Sequence, residues 1–460
     1  MMEKFKFVDL FAGLGGFHYA LKELGGECVF ASEIDPKLRE LYIRNHKHKK
    51  SLMYGDISKS VDQVPPHDVL VAGFPCQPFS KSGKQLGFED TSRGNCIFYI
   101  IDILDRLKPK YFIFENVSNF AKHNDGRTWE EIKNLIKKLG YYVRSSADFN
   151  QRVDKCNINL SPHQFGYPQK RERFFAVGSL DYLPTNPFPI PNEIKPSLKK
   201  ILLSKKDLKK RKDSLIDLDD CQINKQAEES INLWNKFINC LPNKHKDLPS
   251  AFPLWLEEYY SDFPYATQTP YQFLVDEGFN DEKIDEELEK LPPYAREKAS
   301  QFPLWKIKFI DDNRKWFRDY KNSIDKSIVD QIRKLDYTYR KLEWNFKNSN
   351  SSDIWDHTIQ LRPSGIRVSN PIYVPTIVSL NSSQRPIYGP LKRHLTAREI
   401  ARVFGFPSSL KLFGNHNLDT KALGNAVHKD VVKLVAKNLL NYGNLKVIND
   451  DYSREQKISA

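Results

Sequence analysis

The chain has 460 residues, 40% of them hydrophobic and 12% aromatic, which is typical of a globular protein with two or three domains rather than a disordered chain. Lysine and arginine outnumber aspartate and glutamate by 71 to 58, and the resulting charge of +13 favours a polyanionic partner. No apolar run approaches the roughly 20 residues of a membrane span and no signal peptide is evident, so we expect a cytoplasmic protein without a membrane partner.

The cysteines indicate a reducing compartment. They contain no CxxC pair, so we expect free thiols and neither a disulfide framework nor a metal site. The six positions are Cys28, Cys76, Cys96, Cys156, Cys221 and Cys240.

The first 180 residues alternate between predicted strands and helices. Apolar runs predict strands at 6–10, 27–31, 69–72, 111–114, 141–147 and 174–177, and helical spacing predicts helices at 17–24, from Pro36 onward, at 97–107 and at 128–139. This alternation predicts an α/β fold with a doubly wound, Rossmann-like parallel sheet covered on both faces.

A glycine-rich turn, AGLGG, follows the first strand. Gly13 and Gly15 match the start of a dinucleotide-binding fingerprint, but His18 occupies the third glycine position, which disfavours a nicotinamide cofactor. Glu33, at the end of the second strand, is placed to accept hydrogen bonds from ribose hydroxyls, and Asp56 from an adenine amino group. Each feature alone also fits a tight turn, a surface charge or a helix cap, but their order favours an adenosine-containing ligand.

Cys76 follows the predicted strand at 69–72, within the sequence GFPCQPFS. Ligands bind at the carboxyl edge of open parallel sheets, so this position suits a nucleophile, with a buried structural thiol as the alternative. The segment from Ser80 to Asn95 is rich in glycine, serine and lysine, and it fits either a lid over the substrate or an ordinary surface loop.

Six motifs, in order along the chain, resemble those of the DNA cytosine-5 methyltransferases of bacterial restriction-modification systems. They are FVDLFAGLGGF at 7–17, GFPCQPFS at 73–80, FENV at 114–117, QKRER at 169–173, REIAR at 398–402 and GNAV at 424–427. The resemblance covers about residues 5–180 and 385–440 and leaves out the middle of the chain.

The resemblance implies a reaction at carbon 5 of a cytosine flipped out of duplex DNA. Cys76 would add to carbon 6 of the ring, which makes carbon 5 nucleophilic enough to take a methyl group. Glu115 would donate a proton to ring nitrogen 3, and Arg173 would support the Cys76 thiolate. Arg171 would contact the cytosine carbonyl oxygen or a phosphate, although these basic residues could also form a solvated strand edge.

The resemblance also implies S-adenosyl-L-methionine as cofactor. Phe11 would lie against the adenine, Gly13 and Gly15 would admit the methionine portion, and the late GNAV motif would close the pocket. The cofactor residues expected are Phe11, Gly13, Gly15, Gly16, Glu33, Ile34, Asp56, Ile57, Pro75, Asn425 and Val427.

The middle of the chain is predicted to recognise the DNA sequence. We expect a catalytic domain at 1–184, an inserted target-recognition domain at 185–385 and a segment at 386–460 that completes the catalytic domain. A lysine cluster at 199–212 fits phosphate contacts or a solvated helix, and the aromatic residues of 215–350, including FPLW twice, fit a core better than base stacking. The DNA-binding residues expected are Ser80, Lys84, Gln85, Arg93, Gln169, Arg362 and Arg367.

We therefore expect a monomeric DNA (cytosine-5-)-methyltransferase that acts on a specific double-stranded sequence, alongside a separate cognate restriction endonuclease. An RNA (tRNA) cytosine-5 methyltransferase, a catalytically silent DNA-binding regulator and a nicotinamide oxidoreductase are the alternatives. The long middle segment favours DNA, because RNA-modifying relatives are compact. The intact Cys76 and Glu115 disfavour a silent regulator.

Overall fold

The computed structural model describes residues 4–74, 96–148, 159–204, 218–259, 268–291, 295–377 and 384–441. The chain forms two compact units. The first comprises Met1–Asp220, Ile372–Ser382 and Thr396–Ala460, and the second comprises Cys221–Pro371 and Ser383–Leu395. The second unit therefore begins later and ends later than the recognition segment predicted from the sequence.

The strands and helices are as follows. The strands are β1 (Phe5–Leu10), β2 (Gly26–Ser32), β3 (Met53–Tyr54), β4 (Val69–Ala72), β5 (Tyr111–Val117), β6 (Tyr142–Ser145), β7 (Gln169–Lys170), β8 (Arg173–Ser179), β9 (Leu254–Trp255), β10 (Lys341–Trp344), β11 (Thr358–Arg362), β12 (Gly365–Ser369), β13 (Val374–Pro375), β14 (Ile387–Tyr388) and β15 (Arg393–His394). The helices are α1 (Gly16–Lys22), α2 (Pro36–His46), α3 (Cys96–Leu107), α4 (Arg127–Lys138), α5 (Lys225–Cys240), α6 (Pro270–Asp276), α7 (Asp281–Glu289), α8 (Leu304–Tyr320), α9 (Lys326–Arg333), α10 (Ala397–Val403), α11 (His416–Asn425) and α12 (429–441).

A seven-stranded sheet in the order β3-β2-β1-β4-β5-β8-β6 forms the first unit. β1 to β5 run parallel, which confirms the predicted doubly wound α/β fold. β8 instead runs antiparallel to both of its neighbours, β5 and β6. The prediction of parallel strands is therefore wrong for β8. An antiparallel strand needs no crossover helix, and the described residues between β6 and β8 contain no α-helix.

The central strands are buried on both faces of this sheet, which explains their nearly continuous apolar sequences. Because side chains alternate along a strand, each strand contributes to two separate cores. One core contains Phe7, Val69, Val71 and Ile113 together with α12, and the other contains Val8, Leu70, Phe112 and Phe114 together with α3 and α4. The carboxyl ends of β1, β2, β4 and β5 carry the predicted site residues.

The late REIAR motif explains why residues 201–203 belong to the first unit. Glu399 of α10 accepts the backbone N–H of Leu203 at 2.9 Å, and Arg402 donates to the Ile201 carbonyl at 3.2 Å. Lys199 and Lys200 precede this anchor and are exposed, which fits either alternative for the lysine cluster. Its remaining lysines, from 205 onward, lie outside the described residues.

The second unit contains a six-stranded sheet in the order β15-β14-β11-β12-β10-β9. Its core includes Trp234 and Trp344, which confirms that aromatic residues of this segment form a core. The two FPLW sequences differ: Leu254 of the first is buried in β9, whereas Leu304 and Trp305 of the second are 85% and 71% exposed. The prediction of a core role is wrong for that pair. None of the helices in the described ranges is long and apolar enough to cross a membrane.

Candidate active site

The glycine-rich turn is held against the end of β2. Its backbone takes the left-handed conformation at Phe11 (φ +57°), Gly13 (φ +52°) and Gly15 (φ +77°). The Ala12 N–H donates to the Ser32 carbonyl and the Gly13 N–H to Oε2 of Glu33, both at 2.9 Å. The turn and the predicted ribose-binding carboxylate are therefore direct neighbours.

The three glycines of this turn are needed for different reasons. A Cβ on Gly13 would meet none of the described atoms within 4 Å, so its Cα borders open space. A Cβ on Gly15 would collide with the His46 ring, and one on Gly16 would lie 2.5 Å from Cγ2 of Val427. Gly15 and Gly16 thus permit close packing within the protein, and Gly13 is the one that leaves room for a ligand.

The side chains at the ends of β2 and β3 fit an adenosine-containing ligand. Oε1 of Glu33 accepts the Asp35 N–H at 2.9 Å, yet each carboxylate oxygen keeps a second lone pair for a ribose hydroxyl. The adjacent Ile34 is 71% exposed and offers an apolar surface to a base. Asp56 accepts the Ser58 N–H at 2.9 Å, so it caps a short helix as well, and Ile57 is buried.

An ion pair between Glu115 and Arg173 lies where β5 and β8 meet. Nε of Arg173 is 3.0 Å from Oε1 of Glu115, because the antiparallel register places the end of β5 beside the start of β8. Burial raises the pKa of Glu115, and the positive charges of Arg173 and Arg171 only partly oppose it. This carboxyl group is therefore suited to holding a proton that it can donate to a bound base.

Arg171 lines the same cavity as Glu115 and Arg173, but its guanidinium is already held by the protein. Its guanidinium is buried, and it donates to the carbonyls of Gly424 at 2.9 Å and Ala426 at 3.1 Å. It also lies over the ring of Phe404, at 5.2 Å from the centroid. These contacts fix the GNAV segment to the sheet, and the contact of Arg171 with cytosine or a phosphate stays a prediction.

Asn116 anchors the chain that leads to Cys76, a role that the sequence analysis missed. Its Nδ2 donates to the Phe74 carbonyl at 3.1 Å, and the Phe74 ring packs against Phe114. Gly73 borders the ion pair, since a Cβ there would lie 3.8 Å from Oε2 of Glu115. The only sequence signal for this anchor was the position of the asparagine directly after Glu115.

Several predicted site residues lie outside the described residues. They are Cys76 and Pro75 together with Ser80, Lys84, Gln85 and Arg93. The late cofactor motif is described: Val427 is buried against Gly16, while Asn425, the last residue of α11, is exposed.

Of the remaining DNA-binding candidates, Gln169 and Arg367 are not free surface groups. Gln169 is fully buried in β7, and its amide makes no hydrogen bond to the part of the chain that the structure describes. Arg367 of β12 pairs with Glu343, with Nε 2.7 Å from Oε2. Arg362 faces the same hairpin end, where burial and the charge of Arg367 lower its pKa.

A family model described as C-5 cytosine-specific DNA methylase matches residues 5–441. The chain belongs to this family. Proteins of the family are S-adenosylmethionine-dependent. The match extends through the middle segment, which the sequence motifs alone did not cover.

Some curated relatives align with less than half of this chain, and one aligns with nearly all of it. The Type II methyltransferase M.HhaI of Haemophilus parahaemolyticus is 43% identical over 201 residues, which is 43% of this chain and 57% of the relative. The chain thus spans little more than half the length of that relative. The Type II methyltransferase M.AluI of Cellulosimicrobium cellulans is 29% identical over 499 residues, with coverage of 94% of this chain and 91% of the relative.

Solved structures are also similar. A putative DNA modification methyltransferase of an Escherichia coli prophage covers 95% of this chain and 99% of its own, at 19% identity and a TM-score of 0.48. The Dnmt2 methyltransferase of S. pombe covers 96% and 99%, at 17% identity and a TM-score of 0.46.

Proposed function

We propose that this chain transfers a methyl group from S-adenosylmethionine to carbon 5 of cytosine in double-stranded DNA. The observation that carries the proposal is the buried pair of Glu115 and Arg173, which borders Gly73 at the start of the segment leading to Cys76. An acid and a cation at one sheet edge, with the thiol of Cys76 three residues along the chain from Gly73, are the groups that activation of a cytosine ring requires.

The protein groups act on the ring as follows. The Cys76 thiolate forms a bond to carbon 6 while Glu115 gives its proton to nitrogen 3, so carbon 5 becomes an enamine carbon. After carbon 5 has taken the methyl group, its proton leaves to a base, the bond from sulfur to carbon 6 breaks, nitrogen 3 returns its proton to Glu115, and the aromatic ring is restored. Arg173 keeps positive charge beside Glu115 and the ring throughout.

The cofactor supplies an electrophilic methyl group when bound. Glu33 would hold the ribose hydroxyls, Ile34 and Phe11 would contact the adenine, and Asp56 would accept from its amino group. Gly13, whose Cα borders open space, would lie against the methionine portion. Each of these residues sits on or beside the carboxyl end of β1, β2 or β3.

The second unit is the part that would read the DNA sequence. It has a sheet of its own, and its two segments interrupt the chain of the first unit, which has three. The relatives that align with this chain are named Type II methyltransferases. We infer that the enzyme works as a monomer in the cytoplasm and protects DNA from a separate cognate endonuclease.

Methyl transfer followed by bisulfite sequencing tests the proposal. Plasmid DNA from cells that express the chain should contain one sequence context in which cytosines resist conversion, because 5-methylcytosine is not deaminated. Plasmid from cells that express Cys76→Ser should convert fully. Full conversion with the folded wild-type chain, or resistance with Cys76→Ser, would contradict the proposal. Transfer of labelled methyl groups to RNA but not to duplex DNA would favour the RNA alternative.

A further inference from the structure

A cluster of polar side chains is buried beneath the glycine-rich turn, apart from the ion pair of Glu115 and Arg173. It consists of Asp9 of β1, His18 of α1, Cys28 of β2, Tyr42 of α2 and His48 just after α2, none of them more than 9% exposed. So many titratable groups in a hydrophobic core need partners that satisfy them. The proposed methyl transfer uses none of them.

The Tyr42 hydroxyl lies at the centre of this cluster. It donates to Oδ2 of Asp9 at 3.1 Å, and it lies 2.7 Å from Nδ1 of His18 and 3.6 Å from Sγ of Cys28. The second oxygen of Asp9, Oδ1, makes no hydrogen bond to the described residues although Asp9 is fully buried. The hydrogen bonds within the cluster therefore leave one oxygen of the buried Asp9 carboxyl group without a partner among the described residues.

Three of these residues present metal-binding atoms to one another. One ring nitrogen each of His18 and His48 and Sγ of Cys28 lie within 4.8 Å of one another. Zinc binds histidine and cysteine at about 2.0–2.3 Å in a tetrahedron, which puts donor atoms about 3.3–3.6 Å apart. The side chains therefore need to draw together by about 1 Å to share one ion.

Partners on the protein already orient both histidine rings. Nε2 of His48 lies 3.2 Å from the Leu52 carbonyl, and His18 is held by the Tyr42 hydroxyl. The ring of His46 also stacks on that of His18, with 3.8 Å between the centroids. Such contacts to one ring nitrogen are how proteins fix histidine ligands of metals.

We propose that His18, Cys28 and His48 bind a zinc ion as its three protein ligands, with its fourth position open to a water molecule. Binding displaces the Cys28 proton to solvent and leaves a thiolate. That charge and the charge of Asp9, once Asp9 has also given its proton to solvent, balance the two positive charges of the ion, so the buried site is neutral. The ion would join α1, β2 and the end of α2 directly below the turn that contains Gly13.

Metal analysis of the purified full-length chain tests this site. Expressed in zinc-supplemented medium and desalted, the wild type should contain about one zinc per chain by mass spectrometry. Cys28→Ser and His48→Gln should each lose most of it. Cys240→Ser, which removes a thiol of α5 in the other unit, is the matched control and should keep the wild-type content.

Cobalt replacement gives a second measurement that does not depend on the folding of variants. Wild-type chain stripped with a chelator and loaded with Co²⁺ should show the visible bands of tetrahedral cobalt and a sulfur-to-metal charge-transfer band. A zinc content near zero together with no such bands would overturn the proposal. Zinc content that survives in folded Cys28→Ser would overturn it too, because the metal would then be elsewhere.

Discussion

Replacement of Gly13 by alanine separates cofactor binding from folding. Gly13 has φ +52°, and none of the described atoms lies within 4 Å of the position its Cβ would take. The methyl group therefore meets none of the described atoms, and the change should lower the free energy of unfolding only by the about 1–2 kcal/mol of an alanine in left-handed backbone. The same methyl group enters the open space that we assign to the methionine portion of the cofactor.

We expect the dissociation constant for S-adenosylmethionine to rise at least about tenfold in Gly13→Ala, which is about 1.4 kcal/mol of binding free energy. Isothermal titration calorimetry gives the affinity, and urea unfolding gives the stability. Gly278→Ala is a matched control in the second unit, with φ +76° and likewise no described atom within 4 Å. It should lose similar stability and bind the cofactor as the wild type does.

Gly15→Ala should behave differently from both. Its φ is +77°, and its Cβ would collide with the His46 ring, so overpacking adds about 1–3 kcal/mol to the backbone cost. An unchanged cofactor affinity in folded Gly13→Ala would refute our placement of the ligand. An equal loss of affinity in Gly278→Ala would show that lower stability, rather than the lost space, is responsible.

Three further predictions concern the ion pair and its surroundings. Glu115→Gln should slow methyl transfer at least about 100-fold, because it cannot protonate the ring, with cofactor affinity unchanged; a wild-type rate would contradict this role. Arg171→Met should lower the free energy of unfolding by about 2–4 kcal/mol, because it leaves the buried Gly424 and Ala426 carbonyls unpaired. Unchanged urea unfolding would argue against a stabilising role of these two hydrogen bonds. Burial lowers the pKa of His428 to about 3, so unfolding takes up a proton below the ordinary value of 6.5. His428 should therefore contribute a fall in stability of up to about 1.4 kcal/mol per pH unit as the pH drops from about 6 to 4, in addition to that of the buried His46, whose pKa is also lowered to about 3; His428→Gln should make the curve less steep, and identical pH profiles would exclude a contribution from His428.

Local sequence signals predicted the first part of the sheet well. β1 and α1 begin within one residue of their predicted starts, and α2 begins at Pro36 as expected, with Asp35 as its N-cap. These boundaries depend on neighbouring residues, such as the glycine turn and the proline. The hydrogen bond between Glu33 and Gly13 was not predicted, although both residues follow strands that end at one edge of the sheet.

Contacts between residues that are distant in the chain could not be predicted from the sequence. The antiparallel direction of β8 depends on its position between β5 and β6, whereas its own residues are compatible with either direction. Both Arg171 and Arg173 belong to one short motif, yet one guanidinium meets Glu115 and the other meets carbonyls more than 250 residues away. The absence of a CxxC pair likewise gave no hint of His18, Cys28 and His48, because the three come from separate elements.

Covalent trapping tests the central claim most directly. Duplex DNA that carries 5-fluorocytosine at the target position, found by bisulfite sequencing, should form a complex with the chain that survives denaturing electrophoresis, because fluorine on carbon 5 cannot leave as the proton does. Formation of the complex should require S-adenosylmethionine, and Cys76→Ser should abolish it. Methylation of ordinary DNA without any trapped complex, or trapping by Cys76→Ser, would contradict the assignment of Cys76 as the nucleophile.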